Sequence, residues 1–553
     1  MKNKNDTSNV RTVEDSWHDS ENKIDIPLAM NLDENIEKIN MLFENCTDIV
    51  KREVELGTDK KIRIYGVYTD GLVNREILEH YLLSVAFDYK NSECEIEDHR
   101  TPTQIIMQHF SATFDVKEVN KMDDLIKAIL SGDSAIFVDQ SDKGLVIATK
   151  GWPGRGVGEP NAESVVRGPR DGFTETIRFN TVLVRRRIRD TKLKVKMMSY
   201  GTRSRTDIAI MYMEDIAKPE LVEEVETRLN KYVVDGVFDS GYIEQLIEDS
   251  WKSPFPQTQA TERPDKFAAS LLEGKVGIIV DNSPFGIIVP ATLNAFYQAS
   301  EDYYQRWQIM SFIRILRYLV SFLSFTLPGL YIAILNFQPT MLPTPFAVSI
   351  AAAREGVTFS TVTEIVVMEL IFELFREAGI RAPGAIGHVI GLVGGIVIGQ
   401  AAVDANIVSP MIIIIISLTA ICTFAVPDYS LTSAFRLIRY MFIALSAFLG
   451  LYGFLIAFLI TFIHLSSLES FNVPYLAPYN ISDRNGFNDL KDTILRFPTF
   501  MQTTRPIYAR AEQRRRLRVK GDNVQDVSPG TNSGVTNGQV SRKNEDKSGQ
   551  NGK

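Results

Sequence analysis

Sulfur has little to do in this chain: three cysteines stand among 553 residues. Cys46, Cys94 and Cys422 share no zinc-ligand or disulfide spacing, so neither a metal finger nor an oxidising compartment is required. Histidine is also scarce, six residues scattered along the chain. HExxH and GxSxG are both missing, and no nucleophile stands beside a base at motif spacing. The chain is therefore expected not to be an enzyme, to need no cofactor and to bind no metal. Positive charge does not dominate either. Lys and Arg number 60 against 68 Asp and Glu, a formal net charge of -8, which argues against a nucleic-acid partner. The opening MKNKNDTSNVRTVEDSWHDSENK is polar and reads as disordered, with no signal peptide expected.

Long uncharged runs, by contrast, are abundant. They cover Tyr318–Phe337, Ala385–Val403, Ile407–Pro427 and Tyr440–Ile463. Each reaches the roughly 20 residues a spanning helix needs. Pro328 is expected to kink the first. In the second, Gly387, Gly391, Gly395 and Gly399 repeat every fourth residue and stack on one helix face, a surface for close helix packing. Arg306, Arg314 and Arg317 before the first run and the basic stretch after the last are read with four full spans, both flanks on the cytoplasmic side; five spans, which would put Arg376, Arg381, Arg436 and Arg439 inside, are the alternative. Arg510–Arg518 reads as a solvated basic segment or one resting on anionic lipid.

Ahead of this block the pattern is mixed. KIRIYGVY (Lys61–Tyr68) and TDIAIMYM (Thr206–Met213) read as strands, followed by helices from about Asn74 and Pro219. SAIFVDQSDKGLVIAT and GKVGIIVDNSPFGIIVP read as hairpins turning at Ser141–Gly144 and Asn282–Pro284. The order strand, helices, hairpin thus occurs twice. The expected fold is an α/β soluble N-terminal region of two related subdomains followed by an α-helical multi-span transmembrane domain. The expected boundaries are a disordered 1–23, subdomains at 24–150 and 151–305, a membrane domain at 306–465, a polar and basic region at 466–518 and a disordered tail at 519–553. The glycines at 151, 154, 156 and 158 do not make a phosphate loop, because no Gly-Lys-Ser/Thr follows. The basic run Arg185, Arg186, Arg187 and Arg189 reads as a solvated or interdomain face, or as a docking surface for an acidic partner or anionic lipid.

Several long stretches together carry a resemblance. They are GWPGRGVGEPNAESVVRGPRDGFTE, NTVLVRRRIRD, GTRSRTDIAIMYMEDIA, VDNSPFGIIVPAT, EDYYQRW, REGVTFS and ELFREAGIRAPGAIGHVIGLVGGIVIGQAAV. In that order they closely resemble the A subunit of the GerA family of bacterial spore germinant receptors, over roughly residues 60 to 500. The resemblance implies a multi-pass protein of the inner spore membrane with its soluble region on the core side. It implies a nutrient-sensing membrane B subunit and a lipoprotein C subunit as partners. It also implies homo-oligomers, pentamers, forming a nutrient-gated cation channel. A paralogue that amplifies germination as an ion channel shares these motifs. A transporter and a pore-less membrane scaffold are the competing classes; the spans show no inverted repeat of the transporter kind.

One apolar stretch carries acids. In EIVVMELIFELFREAGIRAPG, Glu369, Glu373 and Glu377 advance only 40° per step on a helix and form a narrow stripe, with Arg376 in reach of Glu373 and Glu364 set apart. Residues 357–378 are expected to be re-entrant or interfacial. In a symmetric oligomer such a stripe becomes acidic rings, which favour cations. The alternative is an interfacial amphipathic helix held by salt bridges. Val357, Ser360, Val362 and Thr363, just before the acids, are the candidates for a constriction.

Overall fold

A buried asparagine opens each half of the soluble region. The computed structural model describes residues 26–56, 62–79, 115–151, 158–160, 163, 165–381, 399–480 and 489–517. Asn35, in α1 (Leu32–Leu42), and Asn180, in α3 (Ile177–Arg185), each clamp the loop six residues upstream. The amide oxygen accepts from the N–H of Ala29 or Thr174, and the amide nitrogen donates back to the carbonyl of the same residue. Each helix start is then held by an aspartate from a hairpin turn. Asp139 accepts from Leu32 N at 3.3 Å, and Asp281 from Ile177 N at 3.0 Å.

The sheets repeat the same plan. β1 (Ile49–Leu56), β2 (Ile62–Thr69), β3 (Val116–Val119), β4 (Ser134–Val138) and β5 (Gly144–Ile147) are ordered β1-β2-β4-β5-β3. β6 (Leu193–Tyr200), β7 (Thr206–Met213), β8 (Gln259–Thr261), β9 (Val276–Val280) and β10 (Gly286–Val289) are ordered β6-β7-β9-β10-β8. All pairings are antiparallel. α2 (Met122–Ser131) precedes the first hairpin and α6 (Pro264–Leu272) the second; α4 (Pro219–Leu229) and α5 (Ser240–Ile247) lie between β7 and β8 of the second half. The second strand of each hairpin starts with a glycine against the preceding helix. A Cβ on Gly144 would stand 2.5 Å from Leu125, and one on Gly286 2.8 Å from Phe267. The expectation of two related subdomains is met at the level of single side chains.

The helical block follows. α7 (Trp307–Phe337) leaves the second subdomain, then come α8 (Thr344–Ala353), α9 (Thr361–Arg381), α10 (Pro410–Phe424) and α11 (Tyr429–Ser467). Two stretches, Trp307–Phe337 and Tyr429–Ser467, are long and apolar enough to cross a membrane. The run Tyr440–Ile463, expected as one continuous span, is a correction. Gly450 has φ 59° and ψ -134°, outside any helix. The chain folds back there: Phe442 and Phe454 lie ring to ring at 5.3 Å, and Phe255 touches both Phe435 and His464 at 6.1 and 5.9 Å. A straight helix would hold Phe442 and Phe454 about 18 Å apart. Gly453 makes the turn possible, because a Cβ there would collide with the Leu445 carbonyl.

These contacts fix the helix directions. Phe325 stacks on Phe435 at 5.0 Å and Phe337 meets Gly450, so α7 and the first half of α11 (429–449) run outward side by side. Residues 451–467 return. α9 runs against 429–449, since Glu369 meets Arg439 and Glu373 meets Arg436. The segment after α11 rejoins the soluble region. Phe471 and Ala509 enter the two cores flanking the second sheet, and Arg510 N donates to Ile216 O at 2.8 Å. Gly387, Gly391 and Gly395, the two termini expected to be disordered and Cys94 lie outside the described residues. Gly399 is described; it is buried and its Cβ would make an ordinary contact with Ile413.

Candidate functional site

Charged side chains line one side of α9 from end to end, inside an otherwise apolar block. Glu364 is fully buried; it accepts from Ser409 N at 2.8 Å and from Arg354 at 3.3 Å. One turn on, Glu369 meets Arg439 at 2.7 Å, with only 3% of the glutamate exposed. Glu373 joins Arg436 at 2.6 Å and Arg376 at 3.4 Å. Glu377 pairs with Arg381 at 2.6 Å in the open.

The 40° drift explains this gradient. A row spaced by four residues climbs around the helix, so it starts on the buried face and ends on the exposed one. The expected water-facing stripe is thus three environments. Glu369 is buried along with Ile365 and Met368. Its carboxylate faces protein because Arg439 from the neighbouring helix reaches it. Glu364, set apart on the wheel, is the most deeply buried of the four.

The seam has hydrogen-bonding capacity in reserve. Glu369 Oε1, Arg439 Nε and Nη2, Arg436 Nε, Arg354 Nε, Ser446 Oγ and Tyr331 OH have no partner among the described residues. Buried ion pairs of this kind stabilise little, because desolvation opposes their attraction. Charge kept in an apolar block is more readily explained by function.

Of the constriction candidates, Ser360 and Thr363 are exposed while Val357 and Val362 are half-buried. Ser360 caps α9: its Oγ accepts from Thr363 N at 3.4 Å and lies 2.9 Å from the Thr363 hydroxyl.

A second network ties the block to the soluble region. Asp302 accepts from Arg314 Nε at 2.7 Å and from Arg317 at 3.1 Å. Asp492 accepts from Arg314 Nη1 and from Tyr303 OH, each at 2.7 Å. Arg314 and Arg317, counted above as orienting charges, are neutralised inside the protein.

The basic run is likewise turned inward. Arg185 has no exposed side-chain surface; it forks onto Asp48 at 2.8 and 2.9 Å and donates to Leu193 O at 2.9 Å. Arg187 forks onto Asp171 at 2.6 Å. Arg186 is half-buried and Arg189 exposed. Docking to a partner or lipid is therefore closed to Arg185. The reason is the parallel bridge of Cys46 to Val195, which brings Asp48 of the first subdomain against α3 of the second. The sequence flagged the arginines and the acids separately; their pairing depends on residues far apart in the chain.

An α/β tandem rooted in a block of apolar helices, with charges paired inside that block, is the plan of a membrane-associated protein. The chain belongs to the GerA family: the model described as Bacillus/Clostridium GerA spore germination protein matches residues 37–508. Spore germination protein KA of Bacillus subtilis is 39% identical over 479 residues, 87% of each chain. Spore germination protein B1 of the same organism is 41% identical over 452 residues, 81% of this chain and 91% of the relative. An uncharacterized membrane protein of Bacillus subtilis, YfkQ, is 37% identical over 486 residues, 88% and 93% of the two chains. The crystal structure of the N-terminal domain of the A subunit of the Bacillus megaterium spore germinant receptor GerK3 is also similar. It is 32% identical with a TM-score of 0.39, covering 48% of this chain and 98% of that one. The named relatives are germination proteins, and none is named for an enzymatic activity.

Proposed function

We propose that this chain is the A subunit of a spore germinant receptor in the inner spore membrane, its soluble region on the core side. Copies of it assemble, as a pentamer, with a nutrient-sensing B subunit and a lipoprotein C subunit, and the ring encloses a cation path that opens when nutrient binds. The observation that carries the reading is the polar seam along α9, which places ionised groups through the depth of an apolar block. Family membership supports the germination role. Within the seam, Glu364 and Glu369 hold the protomer together. Glu373 and Glu377, at the more exposed end of the row nearer the soluble region, and Ser360 and Thr363 with Val357 and Val362 at its outer start, are the groups that face the path in the ring.

The test is reconstitution of the full receptor in planar bilayers. Nutrient-dependent unitary cation currents are expected, with Glu377→Gln lowering cation over anion selectivity while leaving assembly intact. Coupled flux without unitary events points to a transporter, and an assembled but silent oligomer to a scaffold; either outcome overturns the channel.

A further inference from the structure

The stretch ILRFPTFM, residues 494–501, has one charge among apolar residues. A soluble surface would turn Arg496 out and bury the rest. The structure does the reverse. Arg496 is buried; its guanidinium donates to Gln305 O at 3.0 Å. Its backbone is fastened to α7 twice, N–H to Ser311 Oγ at 3.2 Å and Ser311 Oγ to its carbonyl at 2.8 Å. Ile494, Leu495 and Met501 are exposed, and Phe500 is 69% exposed. Contiguous exposed apolar surface marks an interaction site.

Height identifies the partner. Ser311 lies in the second turn of α7, and on the outer side of those turns Ile309, Phe312, Leu316 and Leu319 form an exposed apolar row at helical spacing. That row begins where α7 enters its apolar run, so 494–501 is bolted to the helix at the entry level. A second feature lies at the soluble-region end of the returning half of α11. Ser253 Oγ is 2.8 Å from His464 Nε2, in the last turns of that helix. Beside it Trp251 is 82% exposed, with the Lys252 ammonium 5.4 Å from its ring centre. Tryptophan and lysine at a helix mouth match the chemistry of the headgroup layer, which takes an apolar ring and a cation together.

We propose that segment 494–501 and the Trp251–Lys252 tip form an interfacial collar that beds the soluble region into the phospholipid headgroup layer around the helical block. Phe500 and Trp251 dip toward the acyl boundary, and Lys252 stays with the phosphates. The collar ties the membrane surface to the Asp302–Arg314–Asp492 network, because Arg496 and Asp492 form a backbone bridge. The inference rests on reading α7 and α11 as membrane helices.

The experiment uses the full chain in nanodiscs of phosphatidylcholine and phosphatidylglycerol. Cys94 is replaced by serine; Cys46 and Cys422 are buried. Fluorophores are placed singly at Phe500→Cys, Trp251→Cys, Ile456→Cys on the returning helix and Val233→Cys, exposed on the soluble region. Lipids with a nitroxide near the headgroup are expected to quench the labels at 500 and 251 at least twofold more than the label at 233. Lipids with a deep nitroxide are expected to quench the label at 456. Loss of quenching at 456 overturns the spanning reading. Quenching at 456 with the label at 500 behaving like that at 233 overturns the collar alone, and so does shielding at 500 that appears only when the B subunit is added.

Discussion

Arg185 is a fully buried cation whose every contact lies within the chain, so its removal leaves Asp48 charged and unpaired between the subdomains. Breaking one side of such a pair costs about 3–5 kcal/mol. Arg185→Ala is expected to lower the thermal midpoint of the full chain by several degrees. Arg185→Lys is expected to rescue little, because an ammonium cannot replace the two-pronged contact. A midpoint unchanged within a degree for Arg185→Ala would refute the clamp. Protonation adds a second residue-level effect. Burial, with Glu244 nearby, pushes the Glu248 carboxyl up to about 7, and burial pushes Asp489 to about 6. Both are raised above the unfolded range of about 4. The native state therefore holds protons that the unfolded chain has released, and the stabilisation present below about pH 4 is lost as pH rises toward 7. The thermal midpoint is expected to fall between pH 5 and 7.5, and Glu248→Gln to flatten that slope; an equal slope in the variant counts against it.

At the scale of elements, the sheets were legible and the hairpin of helices was not. Strands such as Thr206–Met213 and the turns at Asn282–Pro284 and Ser141–Gly144 announce themselves locally, through alternation and through turn-forming residues. The duplication was readable because each half repeats those local signals. Gly450 gave no such signal. Apolar residues flank it on both sides, and glycine is common within membrane helices, so hydropathy passes over the break. The seam was half legible: the acids on α9 stood out, while Glu369 and Arg439 lie 70 positions apart and only packing joins them. The hairpin yields a direct test. Phe442→Cys with Phe454→Cys is expected to be joined by a short bifunctional thiol crosslinker, since the rings lie 5.3 Å apart where a straight helix would hold them about 18 Å apart. Gly450→Ala is expected to suppress that crosslink. Its backbone conformation is one only glycine adopts without strain, about 1–3 kcal/mol for other residues, and the new Cβ would stand 2.6 Å from Phe337. No crosslink in the glycine-containing parent would mean a straight span.

At the scale of the molecule, the fold-back changes how many times the chain passes through the block. The four expected runs took Tyr440–Ile463 as one crossing and α9 as a segment that need not cross. The structure has α7 running out, α9 back, α10 back, 429–449 out and 451–467 back. Thr358 N, just before α9, bonds Asn406 O, just before α10, so these two helices start at the same end of the block. A tag at the C-terminus reports only the side on which that end lies, so it cannot by itself tell a hairpin at Gly450 from a straight span. Position 452 can. Tyr452 is exposed two residues past the apex, at the end of the block remote from the soluble region. In a single straight span it would sit near mid-membrane and stay hidden from a membrane-impermeant maleimide. In the hairpin, Tyr452→Cys is expected to label from the face opposite the C-terminal segment, and only from that face. Labelling from the same face as a C-terminal tag, or protection from both, would return the block to fewer passes. Labelling from the remote face would place the outer end of α9 and the Ser360 turn on the side from which a nutrient arrives.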